Sequence, residues 1–233
     1  MKNINDDEVI LWLLEGDVSI QYQVYRDLLN TERDDLRDRI AREGWGARFL
    51  SHRNKTGHWG EAFYQPKWIS SHYTLLDLKN LSIKPDLKEI NETLTLIVEN
   101  NRCADGGINP PGSVKYSDVC INGMFLNYAS YFKINKNEIN PVVDFLIAQQ
   151  MEDGGFNCRS NRTFSICKVG DCELQIYQTV TILKRATTLE FTTISPILYI
   201  HCYQPYFIQN QSHHLFLSFL KLYLMKLVVL HSS

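Results

Sequence analysis

The stretch QQMEDGGFNCRSN (Gln149–Asn161) combines a glutamine pair, two acids, two glycines, an aromatic residue and an asparagine. Its centre, Asp153-Gly154-Gly155-Phe156-Asn157, recurs 48 residues upstream as Asp105-Gly106-Gly107-Ile108-Asn109. A looser third copy, GHWGE, places Gly57 49 residues before Gly106, with Trp59 where Ile108 stands. Phe49-Leu50, Ile97-Val98 and Phe145-Leu146 keep the same register upstream of the three copies. A period of about 20–50 residues marks stacked supersecondary units.

Each unit has room for two helices. Val142, Phe145, Leu146 and Gln149 follow helical spacing before one corner. After the earlier corners, Leu75, Leu78 and Leu81 share one face, as do Met124, Tyr128 and Tyr131. Pro66, Pro110, Pro111 and Pro141 are expected between helices, where a missing N–H and a fixed φ do little harm. The glycine pair is expected to end one helix and turn the chain. The Asp before it and the Asn after the apolar residue are expected to satisfy helix-end backbone groups.

The chain has 233 residues, 44% hydrophobic and 21% charged, which fits one sizeable globular domain or two small ones. A net charge of -2 offers nucleic acid no basic field. The first residues, MKNINDDEVILWLLEGD, carry acids where a secretory signal carries positive charge. Six cysteines (103, 120, 158, 167, 172, 202) include no CxxC pair, so a reduced, cytoplasmic protein is expected.

The segment FLIAQQMEDGGF is similar to the QW repeat of squalene and terpenoid cyclases, with Phe156 where Trp is usual. The β subunits of protein prenyltransferases share that skeleton. Over roughly residues 8–160 the chain most resembles uncharacterised bacterial prenyltransferase-like proteins of this superfamily. The match runs through VSIQYQVYRDLL, GWGARFL, GHWGEAFYQPKWISSHYTLLDL, CINGM and DGGFNC. The resemblance implies an all-α fold, an α/α toroid of roughly 48-residue helix pairs around a central apolar cavity. There are departures. The basic and small residues that open a full QW repeat are missing before Phe145, the first unit is one residue short, and three units make only part of a ring.

On this reading residues 1–186 form the toroid domain and residues 187–233 an atypical apolar tail. The register is lost after Arg162, and Phe191–Ser233 contains no acidic residue. LFLSFLKLYLMKLVVL (Leu215–Leu230) is short for a membrane span and holds Lys221 and Lys226, so membrane association is not expected. Two origins fit the tail: a frameshift or truncated reading frame, and a divergent final helix pair.

Three motifs bear on chemistry. The superfamily's class II cyclases use an Asp-x-Asp-Asp run as a strong acid; none occurs here, which disfavours cyclisation. Asp34-Asp35-Leu36-Arg37-Asp38 spells a magnesium-binding DDxxD, yet Arg33, Arg37 and Arg39 interleave the acids. That pattern reads better as a solvated helix with i,i+3 and i,i+4 ion pairs, N-capped by Thr31. The third, Lys115-x-x-Asp118-x-Cys120, is similar to the zinc and diphosphate segment of prenyltransferase β subunits. By that resemblance Asp118 and Cys120 would bind Zn²⁺, which activates a substrate thiol, and Lys115 would contact an isoprenoid diphosphate. The family's histidine ligand has no counterpart in residues 163–186, and His72 is the substitute. Gly112 and Ile121 stand where the family's diphosphate-binding Arg and Tyr would be. The plainer reading makes Asp118 an N-cap, Cys120 a small buried side chain, Lys115 a solvated loop residue and His72 a hydrogen-bonded core residue.

Aromatic residues gather around the same helices, and Trp68, Tyr73 and Tyr128 are the expected lining of the cavity. The implied ligand is an isoprenoid or another apolar small molecule, with zinc-assisted prenyl transfer the reaction if there is one. A non-catalytic helical-repeat binding module and an inactive fragment of a terpenoid-cyclase-like enzyme fit the same residues.

Overall fold

The computed structural model describes residues 6–110 and 117–150. The Asp153 corner, Lys115, the boundary expected at 186/187 and the apolar tail lie outside the described residues. Among the described residues the chain is all-α: α1 (Asp6–Leu14), α2 (Val18–Asp27), α3 (Asp34–Arg39), α4 (Gly44–Ser51), α5 (Ser71–Asn80), α6 (Lys88–Asn101), α7 (Val119–Tyr131) and α8 (Lys136–Ala148). Beyond these there is an isolated bridge between Arg102 and Ile108. By packing, the described residues fall into two units: 6–52 with 80–84, and 53–79 with 85–110 and 117–150.

In the first unit α2 packs against α1, α3 and α4. Leu13, Ile20 and Val24 form a buried core, flanked by Val9, Ile10, Leu14 and Leu28. Asp17 serves two helices. Its Oδ1 accepts from the Ser19 N–H at 2.9 Å, capping α2, and its Oδ2 accepts from the Trp45 N–H at 2.9 Å at the head of α4. Neighbouring Gly44 sits at φ +58 with the Asp17 carboxylate where a Cβ would be, so no other residue fits there without displacing the cap. Tyr22 lies between the guanidinium groups of Arg26 and Arg37, 5.2 and 5.6 Å from its ring centroid. The loop at 80–84 is held by Arg26 on the Ser82 hydroxyl (3.0 Å) and Arg37 on the Ser82 carbonyl (3.2 Å).

The DDxxD segment forms α3, with Asp34 and Asp35 exposed in its first turn. Thr31 is not its cap. The N-cap position is Arg33, whose side chain makes no capping bond, and the Thr31 hydroxyl donates to the Leu29 carbonyl at 3.0 Å. The helix starts later than the sequence suggested because Thr31 is still committed to closing α2: its N–H bonds the Tyr25 carbonyl at 2.8 Å. The ion pairs also differ from those expected. Arg33 holds Asp35 at i,i+2, Arg39 holds Glu43 at i,i+4, and Asp38 pairs with Lys84.

In the second unit α5 and α7 start 48 residues apart, as do α6 and α8. The two described corners are built alike, at an offset of 49. In one, the Asn54 N–H bonds the His58 carbonyl (2.8 Å) and the Gly57 N–H bonds the Asn54 carbonyl (3.1 Å). In the other, the Cys103 N–H bonds Gly107 (2.8 Å) and the Gly106 N–H bonds Cys103 (3.0 Å). Gly57 and Gly106 have φ +85 and +89, a region that favours glycine. Arg53 and Arg102, again 49 apart, reach from the corners to α6 and α8, ending on Glu92 (3.1 Å) and Glu138 (3.4 Å).

Three details depart from expectation. α6 stops at Asn101, where Arg102 turns extended (φ -68, ψ 125), so Gly106 and Gly107 lie beyond the helix end. Asp105 does not cap a helix; its Oδ1 accepts from the Gly107 N–H (3.1 Å) and the Ser117 hydroxyl (2.7 Å), tying the corner to the approach to α7. Pro141 lies inside α8 rather than between helices. The helix gives up the one rung that the missing N–H would have made. The Pro141 carbonyl then stands 2.7 Å from where a Cβ on Gly106 would sit, so α8 leans directly on the corner.

Candidate functional site

The heads of α5 and α7 carry most of the residues to which the sequence attached chemistry. Each head is clamped to its corner by one side chain. The Ser71 hydroxyl accepts from the Trp59 N–H (3.1 Å) and donates to the Trp59 carbonyl (3.4 Å). Asn122 does the same for Ile108, its Oδ1 accepting from the N–H (2.6 Å) and its Nδ2 donating to the carbonyl (2.9 Å). Trp59 and Ile108 are buried, so both backbone groups would otherwise be unpaired away from water. The His72 N–H bonds the Phe63 carbonyl at 2.9 Å, which fixes the loop before α5 over its first turn.

α5 is buried from Ser71 to Leu78, so His72 lies in the interior at 0% exposure. Its Nδ1 is 3.1 Å from the Tyr128 hydroxyl on α7. Its Nε2 is buried and has no hydrogen-bond partner. Among the described residues four rings surround it: Phe63, Tyr64, Tyr73 and Tyr128, with centroids 5.3, 5.3, 5.1 and 5.5 Å away. Burial pushes the imidazole from 6.5 down to about 3, so it is neutral at physiological pH. Burial also raises the Tyr128 phenol.

Beside this imidazole the Tyr64 and Tyr73 hydroxyls meet at 2.7 Å. Burial raises the Tyr64 phenol against the lowering effect of that bond, and Asp118 and then Cys120 push it further up. The Tyr73 phenol is raised by burial first, then by Tyr64 and Asp118. Trp68 is half-buried, stacks on Tyr73 at 4.9 Å between centroids, and carries the Lys67 ammonium 4.8 Å from its own ring centroid. Its backbone is left-handed, at φ +80, which is strained for a bulky residue.

Asp118 is the N-cap of α7, its Oδ1 accepting from the Cys120 N–H (2.8 Å) and the Ile121 N–H (3.2 Å). Cys120 is a half-buried thiol. Among the described residues no group of three or more His, Cys, Asp or Glu side chains could hold a metal ion, and His72, Asp118 and Cys120 do not make such a set. Lys115 lies outside the described residues.

Of the expected cavity lining, Tyr73 and Tyr128 are packed inside the aromatic cluster and Trp68 lies at its half-buried edge. A groove of about 460 Å³ lies elsewhere in this unit, lined by Val98, Phe132 and Ile134 with Asp86, Glu99 and Glu138 among others, and by none of those three rings. Sequence reading passed over Asp77, a carboxyl at 6% exposure whose proton burial holds well above the usual carboxylate range. Its signal was there: one acid inside the apolar run LLDL.

No protein-family model, curated protein or solved structure matches the chain. Among the described residues no helix is long and apolar enough to cross a membrane.

Proposed function

We propose that the chain is a helix-pair repeat protein of the α/α-toroid type found in prenyltransferases and terpenoid cyclases, and that it binds an isoprenoid or similarly long apolar molecule at the heads of α5 and α7. The observation that carries the reading is the aromatic cluster of Tyr64, Trp68, Tyr73 and Tyr128 around the neutral imidazole of His72. Of these rings Tyr64 and Trp68 are half-buried and are the ones an apolar chain would meet first, with few polar atoms to orient it. The 48-residue spacing of the helix starts and the matching corners support the repeat architecture. Binding is the function put forward, on the aromatic cluster alone.

The test is a tryptophan-fluorescence titration of the whole chain with farnesol and with hexadecane-based micelles as a non-specific control. Saturable quenching by farnesol that is lost in Trp68→Phe, while the fold is kept by circular dichroism, is the expected result. Quenching that never saturates, or that is unchanged in Trp68→Phe, removes the reading.

A further inference from the structure

The buried imidazole of His72 has one nitrogen spoken for and one not. Nδ1 meets the Tyr128 hydroxyl at 3.1 Å, and Nε2 faces no partner although the residue is 0% exposed. A buried polar atom without a partner is rare, because it has given up water for nothing. Among the described residues the groups around it are rings, and the charge that reaches the neighbouring phenols of Tyr64 and Tyr73 is the Asp118 carboxylate, which is negative. The ammonium of Lys67 is engaged over Trp68, and Lys67 itself is exposed. Such surroundings suit a hydrogen-bonding group that carries no charge. An anionic head would meet the like charge of Asp118 and lose its hydration with no cation among the described residues there to replace it.

We infer that the molecule bound at the heads of α5 and α7 carries a neutral hydroxyl or carbonyl that hydrogen-bonds Nε2 of His72, rather than a diphosphate. The inference rests on the proposed apolar-ligand reading and deepens it by naming the head group. Either tautomer serves: a ligand hydroxyl can donate to Nε2 or accept from its N–H, and a carbonyl accepts. A prenyl alcohol, or an apolar ketone of similar length, has the required chemistry. His72 is then a specificity-determining contact, with Tyr128 fixing its ring.

Three C15 probes separate the possibilities on the whole chain: farnesol, farnesene (the same chain without a head) and farnesyl diphosphate. Farnesol is expected to bind about tenfold more tightly than either of the others, the factor that one added hydrogen bond supplies. His72→Phe is expected to keep farnesene binding and lose the farnesol advantage. Should that variant not fold, ¹⁵N NMR of histidine-labelled wild type decides. The resonance of the imidazole still neutral at about pH 5 should shift with farnesol and stay put with farnesene. Equal binding of farnesol and farnesene would overturn the inference while leaving the apolar site standing, with an internal water on Nε2. Tighter binding of the diphosphate would overturn it too. Binding of none of the three would take down this inference and the parent reading together.

Discussion

Replacing His72 with Asn should change how stability depends on pH. The imidazole sits at 0% exposure, and burial lowers it from 6.5 to about 3. The folded protein therefore binds its proton less readily than the unfolded chain does. Stability from this group is complete above 6.5 and is lost as pH falls towards 3, with a slope of about 1.4 kcal/mol per pH unit. Between about pH 8 and pH 5 the wild-type chain should lose about 2 kcal/mol through His72. Asp77 works the other way. Burial raises its carboxyl, so its contribution is complete at low pH and declines as pH rises. His58 is also lowered, by burial and then by Arg53, and adds to the acid loss. The variant isolates the one group: the Asn side-chain oxygen can replace Nδ1 as the acceptor for Tyr128 and does not titrate. Urea unfolding followed by circular dichroism, at half-unit pH steps, gives both curves. His72→Asn will be less stable at every pH because a ring is lost from the core. The decisive quantity is the difference between the curves, which should shrink by about 2 kcal/mol from pH 8 to 5. Parallel curves would refute the argument that His72 is buried and uncharged.

Other substitutions test the corners and the strained edge of the site. Asn122→Ala strands the buried N–H and carbonyl of Ile108 and should cost about 3 kcal/mol in urea unfolding, with Asn122→Asp losing less because it keeps the acceptor. Gly106→Ala places a Cβ at φ +89 against the Pro141 carbonyl and should cost about 2 kcal/mol by the same measurement; a neutral result would mean that α8 does not lean on this corner. Trp68→Gly should be about 1 kcal/mol more stable than Trp68→Ala, since both remove the ring and only glycine relieves φ +80.

The helices were legible because their pattern is local. Apolar spacing placed Leu75, Leu78 and Leu81, and all three are fully buried. Met124 and Tyr131, read onto one face with Tyr128, are only half-buried, whereas Tyr128 is at 0%. Helical spacing gives a face but not how deeply that face is covered. Boundaries and caps went astray where a neighbour decides: Thr31 is held by α2, and Pro141 is accepted inside α8. The site was readable as residue types at the two helix heads, and the N-cap alternative for Asp118 is what its carboxylate does. What the sequence does not contain is distance. That His72 meets Tyr128, 56 positions away, while not joining Asp118 and Cys120 in a metal-sized set, depends on how α5 and α7 lie against each other. The clamps of Ser71 and Asn122 were equally hidden, because each pairs a polar side chain with backbone a dozen or more residues away.

The central claim, an apolar-ligand site at the heads of α5 and α7, is tested most directly by photoaffinity labelling of the whole chain with a diazirine-bearing farnesol, mapped by peptide mass spectrometry. The account predicts label on the peptides containing Tyr64 to Tyr73 and Asp118 to Tyr128, competed away by unmodified farnesol. Label confined to other peptides, or label that excess farnesol does not displace, would contradict it.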